Sequence, residues 1–367
     1  MNPQIDKPVE DGDTMTFTLS GVNVSIANSI RRTILSDIKT VVFKTTPYEE
    51  NKCKIIENTT RFNNEILKQR LSCVPIHISD LEMPIQNYLM ELKMENTTDT
   101  IIYVTSGDFK IKNLTTDQYL SEKDTRAIFP PNDYTGYFID FVRLHPKVSE
   151  ELLGDKIHLT CEFSIDTAKT DSMYNVASTC SYGMTVDYVS QEEILGKKQQ
   201  EWKDRGYSKA KIEFESKNWK LLEGLRIVKK DSFDFILETV GVYDNRELVR
   251  KACSIVIEKL ENLDTVIEKD ELEIFPSENT MKNCFDVILK NEDYTIGKAI
   301  EYALYSKYYE DLKTMSFCGF KKMHPHDSDS IIRIAYKEPT DKAVLKQNFK
   351  SSISELISCY KKIEDKF

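Results

Sequence analysis

The sequence predicts an α+β fold: two strand–helix–strand units, each closed by a long amphipathic helix, with a mainly-β module inserted in the first. Three observations predict it. A period-two strand pattern leading into a period-3.6 helix pattern occurs near residue 15 and again near residue 285. Each half ends in a long helix with one apolar side. Between the first strand–helix–strand unit and its closing helix, residues 48–154 change character.

DTMTFTLS, 13–20, alternates with Met15, Phe17 and Leu19 on one face, the pattern of a half-buried strand. A helix is predicted over about 24–38. Val24, Ala27, Ile30, Ile34 and Ile38 form its apolar stripe at 100° per residue. VVF at 41–43 is strand-like. The inserted stretch holds a short helix at 62–72, then Pro75, an Asn/Thr-rich hairpin region and Pro130-Pro131. Strands resume at 157–165, and the charged run 191–205 is expected as a solvated excursion. Phe233, Phe235 and Leu237 mark a strand at 232–239. A helix over about 245–264 follows, with Asp244 placed to cap it and Glu247 to complete a capping box. Val249, Ala252, Val256, Leu260 and Leu263 line its apolar side. The domain expectation is 1–47 with 155–265 as one unit, 48–154 as the insert, 266–282 as an acidic linker, and 283–367 as a second unit.

The second unit echoes the first. Met15, Phe17 and Leu19 align with Phe285, Val287 and Leu289, and Ile26, Ile30 and Ser36 with Ile296, Ile300 and Ser306, without a gap. KTVVF at 39–43 resembles KTMSF at 313–317. The closing helix, about 342–362, carries Leu345, Phe349, Ile353, Leu356 and Tyr360 on one side. So small a second unit struggles to bury its own core, so two similar units in one chain invite pseudo-twofold packing. The faces expected to meet carry Ile30, Ile34, Val256, Leu260, Ile296, Ile300, Ile353 and Leu356.

Bulk properties narrow the function. The net charge of −10 argues against a free-standing nucleic-acid binder. No run of eighteen apolar residues occurs, and the first residues are polar without an apolar signal core, so neither a membrane span nor secretion is expected. The eight cysteines form no CxxC pair, which fits neither a zinc site nor a short disulfide framework, and scattered thiols suit a reducing compartment. The sequons at Asn58, Asn96 and Asn113 then carry no expectation of glycosylation. No HExxH, GxSxG, P-loop or GxGxxG is present, and no carboxylate spacing marks a catalytic pair. No catalytic residue, metal or cofactor is expected. His324 and His326 flank Pro325 and read as a turn, and Gly297 near a helix start suggests close approach of another backbone.

The segment NVSIANSIRRTILSDIKTVVF, 23–43, resembles the first helix of the α-like subunits of multisubunit DNA-directed RNA polymerases, with Ala27 where many members have glycine. Asn58, Thr59, Glu65, Arg70, Leu71 and Pro75 resemble a second signature of that family. EDYTIGKAIEYAL, 292–304, resembles the D-x-T-hydrophobic-Gly opening of the smaller partner subunit, and HPHD, 324–327, sits where that partner has a His-Pro turn. The first half thus resembles the larger α-like subunit (eukaryotic third, archaeal D) and the second the smaller (eleventh, L). Their fusion is similar to the arrangement in some large cytoplasmic DNA viruses.

The resemblance implies a non-catalytic platform for the two largest polymerase subunits, alongside smaller polymerase subunits, touching DNA only through the complex. It also implies a host-cytoplasm and virion location if viral, and nucleus or cytoplasm otherwise. Many members hold zinc or an iron–sulfur centre on a cysteine cluster in the insert; here the insert has only Cys53 and Cys73, so no metal is expected. The docking residues it implies are Arg31, Arg32, Asn58, Thr59, Glu65 and Arg70. Arg31 falls within the apolar stripe and Arg32 on the polar side, so the pair could engage two surfaces or close an intramolecular salt bridge. A stand-alone adaptor with the same fold is the competing reading.

Overall fold

A computed structural model of the chain describes all residues except 148, 150–152 and 279. The first segment runs β1 (Gln4–Asp11), β2 (Thr14–Ser20), α1 (Val24–Ser36) and β3 (Lys39–Val42). Next come β4 (Cys53–Asn58), α2 (Asn64–Ser72), β5 (Tyr88–Glu95), β6 (Ile102–Thr105), β7 (Lys110–Asn113), β8 (Gln118–Tyr119), α3 (Glu122–Ile128) and β9 (Asp140–Leu144). Then follow β10 (Lys156–Glu162), β11 (Ser164–Thr167), β12 (Ala177–Val186), α4 (Tyr188–Asp204), α5 (Lys209–Leu221), β13 (Val228–Thr239) and α6 (Asn245–Glu268). The chain closes with β14 (Ile274–Pro276), β15 (Cys284–Leu289), α7 (Tyr294–Leu304), β16 (Met315–Lys321), β17 (Ser330–Tyr336) and α8 (Lys342–Glu364).

Two compact units result. One gathers Met1–Thr33, Thr179–Glu238 and Val249–Phe367; the other gathers Ile34–Ser178 and Thr239–Leu248. The beginning and the end of the chain therefore share the first unit. That unit contains two four-stranded sheets, ordered β1-β2-β13-β12 and β14-β15-β17-β16. The orders correspond. In each sheet the strand that precedes the short helix (β2, β15) pairs antiparallel with the strand that precedes the long helix (β13, β17). Alternation explains which face is buried: Met15, Phe17 and Leu19 on β2 meet Leu237, Phe235 and Phe233 across the ladder, all buried. Phe17 stacks on Phe235 and takes the ring of Phe367 edge-on, with centroids 4.9 Å apart in both pairs.

The helices start where short polar side chains cap them. The Asn23 carboxamide oxygen accepts the Ser25 N–H at 2.9 Å, Asp244 accepts that of Glu247 at 2.7 Å, and Asp293 that of Thr295 at 2.8 Å. The two long helices are tied by Ser254 to Glu364, Lys361 to Glu261, and Lys350 to Asp264 and Glu268. Position rises along α6 as it falls along α8, so the two run antiparallel. α7 packs on α8, and Ile296, Ile300, Leu345, Phe349, Ile353, Leu356 and Tyr360 are all buried.

The second unit holds the five-stranded sheet β4-β10-β5-β7-β8 and the pairs β6-β9 and β3-β11. Its core gathers Phe43, Leu67, Leu71, Met90, Leu92, Phe109, Phe129, Phe141 and Leu159. Cys53 and Cys161 stand opposite each other on β4 and β10, both buried. The three Asn-x-Thr sequences are turns: the side-chain oxygens of Asn58, Asn96 and Asn113 accept the N–H groups of Thr60, Thr98 and Thr115.

Several expectations need correction. α1 ends at Ser36, and Val24 is exposed; Ile26 holds the buried position instead. The charged run near 191–205 is the first arm of a helical hairpin, α4–α5, capped by Asp187 and Ser208 and closed over Leu195 and Trp219. Its Glu, Lys and Gln residues are good helix formers, so high charge there does not mean irregular chain. The stretch 266–282 contains the last turn of α6 and the strand β14, which Leu272 and Ile274 anchor by burial. Gly297 accommodates the Phe320 ring rather than a backbone: a Cβ there would lie 2.0 Å from the ring.

Candidate docking surfaces

In α1, Arg31 is half-buried and donates from Nε to the Asn28 side chain at 3.0 Å. Arg32, one residue on, points elsewhere. Its Nη2 donates to Asp293 Oδ2 at 2.7 Å and its Nε to Thr295 Oγ1 at 2.9 Å. Asp293 is the N-cap of α7, so one carboxylate holds the α7 backbone and the α1 guanidinium together. Burial alone would push the Asp293 carboxyl up; hydrogen bonds from the Thr295 backbone and hydroxyl, with the Arg32 charge, outweigh it and hold the group below the usual carboxylate range. A turn before Arg32, the Ser29 hydroxyl meets the Tyr360 hydroxyl at 2.5 Å in a fully buried site. Ser29 also donates to the Ile26 carbonyl at 2.7 Å, so Tyr360 must be the donor of the pair. The first helix is thus bonded to both helices of the last segment.

The eight apolar positions Ile30, Ile34, Val256, Leu260, Ile296, Ile300, Ile353 and Leu356 are all buried.

The second group of residues surrounds α2. Asn58 closes the loop before it, donating to the Phe62 carbonyl at 2.8 Å and to the Asn64 side chain at 2.9 Å. Thr59 pairs with the backbone of Lys156, accepting its N–H at 2.8 Å. Glu65, in the first turn of α2, is exposed. Arg70, on the last turn, donates to the carbonyls of Phe141 at 2.8 Å and Asp140 at 2.7 Å. These four residues share one neighbourhood, whereas Arg31 and Arg32 lie on a different helix. The sequence flagged Asp293 and Thr295 only as part of a D-x-T opening; their grip on Arg32 was not visible. Arg143 and Tyr103, beside Arg70, carried no signal beyond strand alternation.

HPHD at 324–327 is a turn, with the His324 N–H donating to Asp327 at 2.9 Å. Among the described residues no group of three His, Cys, Asp or Glu side chains could hold a metal. Among the described residues no helix is long and apolar enough to cross a membrane.

The first unit is thus built of two sheets of matching order and of helices joined by polar side chains from segments far apart in sequence. The family described as the RNA polymerase Rpb3/Rpb11 dimerisation domain matches residues 16–260, and the chain belongs to it. The match ends inside α6, so α7 and α8 lie beyond it. The chain is 23% identical over 274 residues to the DNA-directed RNA polymerase subunit Rpo3 of Pyrococcus horikoshii, covering 70% of this chain and 95% of that one. It is 22% identical over 295 residues to the DNA-directed RNA polymerases I and III subunit rpac1 of Dictyostelium discoideum, covering 71% and 80%. A conjugation stage-specific protein of Tetrahymena thermophila is 24% identical over 199 residues, covering 48% of this chain and 58% of that protein.

Proposed function

We propose that this chain is a non-catalytic assembly subunit of a DNA-dependent RNA polymerase, on which the two large catalytic subunits gather. Its last segment, 283–367, takes the place of a separate smaller partner. The observation that carries this reading is the seating of the last segment on the first: Tyr360 on Ser29, and the α7 cap on Arg32. Two further facts support it. The alignment with Rpo3 of Pyrococcus horikoshii covers 95% of that subunit but only 70% of this chain, leaving room for an added segment. The two sheets of the first unit share one strand order.

Arg32 serves within the chain in this reading, seating α7 against α1. Docking of large subunits falls to Arg31 on α1 and to Glu65 and the Asn58–Thr59 loop around α2, with Arg70 holding α2 to β9 behind them. Glu65 is exposed and takes no part in an ion pair among the described residues, so its reversal tests docking without disturbing the fold.

Affinity purification of the tagged full chain from the cells that make it tests the proposal. Two very large chains are expected in equal amount with it, and template-dependent RNA synthesis is expected in the complex but not in the isolated chain. Glu65→Lys is expected to lower recovery of a large chain about tenfold, or ~1.4 kcal/mol, with unchanged circular dichroism. Recovery of the chain alone, or with varied partners in unequal amounts, would favour an adaptor and overturn the reading.

A further inference from the structure

The second unit contains a cleft of 380 Å³ between α2 and the two-stranded sheet β6–β9. Arg61, Arg70 and Arg143 line it, with Phe62, Tyr103 and His145. The chain has 60 acidic against 50 basic residues, so a cation normally finds a carboxylate nearby. Lys44, Lys112 and Lys156 of the same unit all do. The cleft arginines do not. Arg70 spends two N–H groups on main-chain carbonyls and lies 5.7 Å from the centre of the Phe62 ring. Arg143 lies 4.9 Å from the centre of the Tyr103 ring. Arg61 is exposed and has no ion-pair partner among the described residues. His145 is engaged by Asp155 at 2.7 Å. Asp140 is the carboxylate on the lining, against three guanidiniums.

The walls carry a second mark. Tyr103 is 51% exposed and Phe62 38%, above a floor formed by the buried Phe141 and Val142. Arginine beside exposed aromatic faces is the composition of a binding hot spot. Stacking on a ring fixes the plane of a guanidinium and leaves its N–H edge outward, the geometry that meets a carboxylate with two bonds. The volume suits two or three side chains. It does not suit a nucleic-acid backbone, which needs a long basic stripe, and the chain as a whole is acidic.

We propose that this cleft docks an acidic linear segment of a partner protein. Arg61 and Arg143 take carboxylate side chains, and a neighbouring aromatic or aliphatic side chain lies on Phe62 and Tyr103. Arg70 acts as a strut, holding α2 to β9. The inference deepens the platform reading and rests on it only for the partner being a polymerase subunit.

Fluorescence anisotropy of the full chain with a fluorescein-labelled Gly-Asp-Glu-Phe-Asp-Gly peptide tests it. The expected result is saturable binding that weakens with salt and falls at least about tenfold when Asn and Gln replace the acids. Arg61→Glu with Arg143→Glu should abolish it, and Arg126→Glu on α3 should not change it. Arg143→Lys keeps the charge and loses the planar fork, so a severalfold loss in a chain of unchanged circular dichroism supports the proposal even where the reversed variant misfolds. Equal binding of the acidic and amide peptides, or tighter binding of a labelled single-stranded oligonucleotide, overturns it. Loss of peptide binding with polymerase subunits still co-purifying sinks the cleft and spares the platform. Arginine-dependent peptide binding by a chain that recovers no polymerase subunits does the reverse.

Discussion

Ser29 and Tyr360 make a sharp test of how the last helix is seated. Both side chains are fully buried, and the Tyr360 hydroxyl, pushed up far beyond its ordinary value by burial, gives its proton to Ser29 at 2.5 Å. Ser29 passes its own proton to Ile26. The two single replacements therefore differ. Tyr360→Phe removes a donor and leaves Ser29 still bonded to Ile26, a loss of about 1 kcal/mol. Ser29→Ala strands a buried phenol O–H, worth ~2 kcal/mol, of which better helix propensity returns about 0.5. With both groups removed nothing is stranded, so the double variant should cost no more than Tyr360→Phe. The coupling is then at least about 1 kcal/mol. Urea unfolding measures it, followed by tryptophan fluorescence, because Trp202 and Trp219 both lie in the first compact unit. Coincident transitions by circular dichroism establish that one equilibrium is being read. Strict additivity, or a Ser29→Ala cost no larger than that of Tyr360→Phe, would refute the buried bond and the seating built on it.

Two further outcomes follow from local geometry. Gly297→Ala should destabilise by about 1–2 kcal/mol despite alanine's helix propensity, because its Cβ would meet the Phe320 ring at 2.0 Å; adding Phe320→Leu should restore much of the loss in the same urea assay. Burial holds the His77 imidazole below its ordinary value of 6.5, partly offset by the hydrogen bond that the ring donates to the Gly241 backbone carbonyl. The unfolded chain then binds the proton more readily, so this contribution to stability is complete above pH 6.5 and drains away as pH falls through the lower folded value. His77→Gln should flatten that slope in stability measured between neutral and mildly acidic pH; an unchanged slope would mean that the imidazole does not titrate differently on folding.

The helices and the strands of the outer segments were legible because their signals are local. Met15, Phe17 and Leu19 alternate, Ile30 and Ile34 fall on one helical face, and Asp244 and Asp293 stand where a cap must stand. The charged run 191–205, expected only as a solvated excursion, does not show helices α4 and α5, because their buried apolar side rests on little more than Leu195 and Trp219 although their residues favour helix. The strand β14 was missed because a three-residue edge strand has too few positions to show alternation.

The sequence alone determined where elements begin and which face of each is apolar, since both depend on residues within four places of one another. It also held the family signature in the first half. Only the tertiary structure decided partners. The spacing of Arg32 is the same whether or not it closes an internal salt bridge; the packing that carries Asp293 to it, 261 residues along the chain, supplies that bond. The arginines of the cleft were likewise scattered over two elements and a loop until sheet register brought Arg143 beside Tyr103 and Arg70 onto the carbonyls of β9. Long-range pairing is set by register and packing, which no local spacing encodes.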